Sequence, residues 1–130
     1  MNEILLLPED LQRKSLSKRE IVLTYDDALK ALDILESAGW VVLGWEPWLK
    51  LPNGSHVHPL MGGDFHRAAM EDWTTYVHRA AQLCRQIVQE EQQRWDQGTF
   101  LPQDDPTTMF WQEKIPSMVL YFCLTAGNDE

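Results

Sequence analysis

The stretch Gly39-Trp40-Val41-Val42-Leu43-Gly44-Trp45-Glu46-Pro47-Trp48 decides how the chain folds. Ahead of it, Ala28, Ala31, Leu32, Leu35 and Ala38 recur at three and four residues, drawing one apolar stripe along a helix of about four turns. Thr24 stands where an N-cap belongs, with Asp27 three residues on to return the bond, and Gly39 supplies a left-handed stop. Trp40-Val41-Val42-Leu43 then reads as a strand apolar on both faces. Gly44 to Trp48 should interrupt it, because proline cannot donate to a ladder and a strand glycine suggests a bulge.

Outward from this point the chain recovers at Leu49-Lys50-Leu51 and turns at Pro52-Asn53-Gly54. The returning strand would be Ser55-His56-Val57-His58, with Val57 on one face and both histidines on the other. Gly62-Gly63 marks a second turn, and residues 64–69 fit either a third strand or a helix start. From about Met70 to Trp95, a stripe of Trp73, Tyr76, Val77, Ala80, Leu83, Cys84, Ile87 and Val88 predicts the longest helix. A polar loop follows Gly98, and Met118 to Leu124 reads as a central strand covered on both faces. Residues 1–19 read as an N-terminal arm and 97–117 as a long loop segment of a single domain over 1–130. The expected class is α+β: a small, mostly antiparallel sheet packed against two main helices.

The chain has 130 residues and a formal charge of −9, from 20 acidic and 11 basic side chains. Such an excess opposes nucleic acid and anionic lipid, which need clustered Lys and Arg, and favours a basic partner. The apolar, mixed-charge start carries no basic leader region, and no run approaches the ~20 apolar residues of a membrane span, so a cytoplasmic protein is expected. Cys84 and Cys123 sit among apolar neighbours and read as inert buried thiols.

Candidate chemistry is sparse. His56-x-His58, with Asp64 and His66 nearby in sequence, has the residue types of a metal site and would support a metal-dependent enzyme; the plainer reading is a solvated hairpin face. His78 shows no partner, and no serine lies in a nucleophile elbow. Adjacent acidic pairs are scattered along the chain. Asp26-Asp27 and Glu71-Asp72 sit at helix starts, where the dipole explains them, which leaves Glu46 and Asp104-Asp105 as candidates for contact with a partner. Trp45 and Trp48 flank Glu46-Pro47 and could anchor a protein interface, stack on a sugar as a small-ligand or carbohydrate-binding module would, or cover a sheet edge. Trp40, Trp73, Trp95 and Trp111 read as core. No catalytic residue, metal or cofactor is assigned.

The run Gly39 to Trp48 followed by Pro52-Asn53-Gly54 resembles a segment of the immunity proteins of bacterial polymorphic toxin systems, nearest to immunity protein family forty. The resemblance extends over residues 20–125: a capped helix before the Gly-Trp strand, a long helix with Trp73, Leu83-Cys84 and Trp95, and a closing Leu120-Tyr121-Phe122-Cys123 strand. It implies a non-enzymatic protein that binds and neutralises a cognate toxin, with Trp45, Glu46, Trp48, Asp104 and Asp105 as the contact residues expected here.

Overall fold

The computed structural model describes residues 2–100 and 117–129. In chain order these form a 3-10 turn (Glu3–Leu6), α1 (Glu9–Lys14), β1 (Ile21–Leu23), α2 (Tyr25–Ser37), β2 (Val41–Lys50), β3 (His56–Val57), β4 (Gly63–Asp64), α3 (Trp73–Asp96) and β5 (Val119–Gly127). Every strand pairing is antiparallel, in the order β1-β5-β2-β3, with β4 on the same side of β2 as β3. The expected α+β architecture is therefore present.

Period-two alternation sorts the strand residues between two faces. Ile21, Leu23, Trp45, Leu49, Leu120, Phe122 and Leu124 join Ala28, Ala31, Leu32 and Leu35 of α2 and Tyr76, Val77, Ala80, Cys84 and Val88 of α3 in one buried core. Val22, Trp48 and Cys123 form a second, smaller cluster on the other face, with Leu16 and Tyr121 against it. β5 is central, as expected, and serves both clusters.

Several expectations need correction. β2 is not interrupted between Gly44 and Trp48; it runs unbroken through Pro47. Leu43 O accepts from Phe65 N–H on the β4 side, and Leu51 N–H donates to Ser55 O on the β3 side, so odd-numbered residues turn their backbone groups that way. Pro47 has the same parity and falls between the β4 pairs at Gly44 and Trp45 and the β3 pairs at Leu49 and Lys50, where no ladder amide is needed. A register shift does occur, between Val42 and Gly44.

Residues 2–19, in the stretch read as an N-terminal arm, pack on the domain through Ile4, Leu7 and Leu11, which are buried in the main core. Thr24 occupies the N-cap position of α2 without a side-chain cap, and Asp27 faces Lys14 and Lys30 at 3.7 and 3.9 Å instead. The α2 terminus does close as expected: Gly39, at φ +76°, donates to Glu36 O, and Trp40 N–H reaches Leu35 O. α3 starts only at Trp73, where the Asp72 side chain accepts from Thr75 N–H at 2.7 Å. Within its stripe Leu83 is 39% exposed, whereas Glu91 is buried at 6%.

Glu91 bonds Arg94 through one carboxylate oxygen at 2.7 Å, and the other oxygen is buried with no hydrogen-bond partner among the described residues. Burial therefore pushes its pKa above the usual carboxylate range, against the pull of Arg94. A carboxyl with a raised folded pKa binds its proton more tightly folded than unfolded, so it costs stability at neutral pH and the cost fades as pH falls. Glu91→Gln is expected to raise the thermal midpoint at pH 7 by a few degrees. Melting curves should show that gain shrinking toward pH 4.5; an equal gain at every pH would show that the charge is not its source.

Candidate partner-binding face

The face turned away from α2 and α3 is built by register. Val22 lies across from Cys123, Cys123 from Glu46, Tyr121 from Trp48, and Lys50 from His56. These side chains therefore share one surface. At its centre Trp48 is 6% exposed, stacked against His56 and His58 with ring centroids 4.6 and 4.3 Å away. Its indole N–H donates to Glu46 Oε1 at 3.2 Å. The two imidazoles lie 10° from parallel, with His56 Nδ1 and His58 Nε2 2.9 Å apart, so one donates and the other accepts.

Carboxylates gather beside this cluster. Burial pushes the Cys123 thiol up to about 12, and the charges of Glu20, Glu46 and Glu3 add to the shift. Asp64 lies over Gly44, the residue next to Trp45, and with Glu46 and Thr125 it borders a shallow hollow. Among the described residues, none of Glu3, Glu20, Glu46 and Asp64 takes part in an ion pair.

Many acids elsewhere are neutralised. Arg85 bonds both Asp33 and Glu36 across the α2–α3 contact. Burial works to raise the Glu36 pKa, but hydrogen bonds from His78 and Arg85 outweigh it and hold the carboxyl below its usual range. Arg79 grips both oxygens of Glu71 at 2.7 and 2.8 Å, and with the Ala68 amide it holds that carboxyl down to about 2. His78, for which the sequence suggests no partner, lies 2.6 Å from Glu36 Oε2. That pairing links positions 42 residues apart on two helices, a separation at which no local spacing signals contact.

The residues singled out in the sequence divide. Glu46 is exposed on the second face and Trp48 is buried within it. Trp45 points the other way into the main core, 9% exposed, with its ring centroid 6.2 Å from that of Phe122. Neither tryptophan presents the open ring that anchoring or sugar stacking was expected to use. Asp104, Asp105 and Trp111 lie outside the described residues.

His56 and His58 come together, but Asp64 and His66 do not join them. Asp64 pairs with Gly44 and His56 with Lys50, six residues along β2, or about 20 Å at strand rise. Among the described residues, no group of three or more His, Cys, Asp or Glu side chains could hold a metal ion. Glu20 went unnoticed in the sequence, and Asp64 was weighed there only as a metal ligand. Glu20 carries a usable signal, since it stands two residues before Val22 and alternation extends its side of β1 outward.

Cys84 and Cys123 are buried free thiols, each pushed up to about 12 chiefly by burial. That makes neither a nucleophile at neutral pH. No described helix is long and apolar enough to cross a membrane. No family model matches the chain, and no curated protein or solved structure is significantly similar to it.

Proposed function

We propose that this chain is a non-enzymatic immunity protein of the cytoplasm, which neutralises a cognate bacterial toxin by docking the second face of its sheet on a basic surface of that toxin. The observation that carries the reading is the convergence of acids on one face: among the described residues Glu20, Glu46 and Asp64 have no ion pair and lie around an apolar cluster, whereas Asp33, Glu36 and Glu71 are held by arginines. Unpaired carboxylates around a small apolar centre complement a cationic surface and steer its approach. A nuclease toxin suits this chemistry, since its phosphate-binding cleft is cationic and a carboxylate row substitutes for phosphate charge. Glu46 is the main contact, with Glu20 and Asp64 beside it. Trp48 acts as a rigid backing for Glu46, and Trp45 braces β2 from within the core.

The test is association with the toxin encoded beside this gene, measured by calorimetry at low and high salt. Glu20→Lys combined with Glu46→Lys is expected to weaken binding at least about tenfold, while Glu90→Lys on the exposed side of α3 leaves it within about twofold. Undetectable binding of the unaltered protein at low salt would sink the proposal, and so would equal losses in the two variants.

A further inference from the structure

We propose that His56 and His58 form a two-imidazole site for a borderline divalent transition-metal ion, of the Zn2+, Ni2+ or Cu2+ class. The site is independent of the toxin-binding reading and differs from a His56, His58, Asp64 and His66 constellation, which the fold separates. Strand alternation puts both rings on one face, and their nitrogens already converge to 2.9 Å. Metal–imidazole bonds of about 2.0–2.1 Å at a tetrahedral angle require nitrogens roughly 3.3–3.4 Å apart. The pair therefore has to open by only about half an ångström, and a metal ion takes one lone pair from each nitrogen once the donor ring has moved its proton to its other, exposed nitrogen.

Three features hold the rings ready. Both rest on the Trp48 ring, whose own position is set by the bond to Glu46. The hairpin below is tied by Leu51 N–H to Ser55 O at 2.8 Å, and by the Asn53 side chain accepting from both the Ser55 amide and its hydroxyl. Both histidines are exposed, so an ion reaches them without opening the fold. The formal charge of −9 raises the local concentration of cations. With two protein ligands, the other coordination positions are open to water or to a side chain of a bound partner. Imidazole ligation selects this metal class over Mg2+ and Ca2+, which prefer oxygen, and orders Cu2+ above Ni2+ and Zn2+.

The full chain, prepared without an affinity tag and treated with a chelator, is titrated with Cu2+ and separately with Zn2+ by calorimetry, with tryptophan emission followed in parallel. One equivalent of Cu2+ is expected to bind saturably, more tightly than Zn2+, and to quench Trp48, which stacks on both ligands. His56→Ala and His58→Ala should each weaken uptake at least about tenfold with unchanged circular dichroism, while His66→Ala leaves it unchanged. Trp48→Phe should retain uptake and lose most of the quench. Absence of saturable binding, survival of binding in either single histidine variant, or a quench undiminished in Trp48→Phe would each overturn the assignment.

Discussion

Replacing Phe122 with alanine is expected to cost about 3–5 kcal/mol of unfolding free energy, the largest loss from any single substitution considered for this chain. Phe122 is fully buried at the middle of β5, across from Leu23 on one side and Pro47 on the other, with Trp45 beside its ring. Its removal opens a cavity where the two helices and three strands meet, and neighbours held by two ladders can relax only in part. Small domains are typically stable by about 5–15 kcal/mol, so the variant should remain folded but unfold at much lower denaturant. Trp48→Ala supplies the comparison. Trp48 is the larger side chain, yet it is covered on the second face by exposed imidazoles and a small cluster, so its loss should cost less. Urea unfolding of both variants decides the matter: a Trp48 variant as unstable as the Phe122 variant would mean that the main core is not on the helical face.

The second large effect is expected at Gly62. Its φ of +123° lies where side chains are rarely tolerated, and a Cβ there would be pressed into the backbone carbonyl oxygen of Trp45 and within 3.2 Å of Glu46 Cα. Backbone atoms in a paired strand cannot swing aside, so Gly62→Ala should cost at least about 1–3 kcal/mol. The damage should be local at first. Gly62 leads into β4, after which Phe65 N–H bonds Leu43 O at 2.8 Å and Phe65 O accepts from the Tyr76 hydroxyl. Hydrogen exchange should accordingly show the Phe65 amide losing protection while Phe122 and Leu124 in β5 keep theirs. A variant within about 0.5 kcal/mol of the parent, with Phe65 still protected, would show that the close approach is not a constraint.

The second face shows why the fold was more legible in the sequence than the candidate site. Acids that look alike along the chain separate once the helices dock, because Arg79 and Arg85 claim Glu71, Asp33 and Glu36 while Glu20, Glu46 and Asp64 gain no such partner. Trp45 and Trp48 likewise look equivalent beside Glu46-Pro47. They stand three positions apart, an odd offset, so a continuous strand must send them to opposite faces, and the strand was expected to break there. The break failed to appear because Pro47 falls in the gap between β3 and β4.

By itself the sequence determined what local spacing can encode. The apolar stripes of α2 and α3, the Gly39 stop, the turn at Asn53-Gly54, the alternation that pairs His56 with His58, and the apolar β5 all follow from side-chain periods of 3.6 and 2 and from glycine's access to positive φ. Tertiary structure alone decided the order β1-β5-β2-β3, the burial of Ile4, Leu7 and Leu11, the Trp48 stack on two imidazoles and the Glu36–His78 contact. Each of these joins residues that are not successive in an element, and which strand lies beside which is settled by the burial of whole faces, a free energy summed over the entire core that no short window of sequence contains.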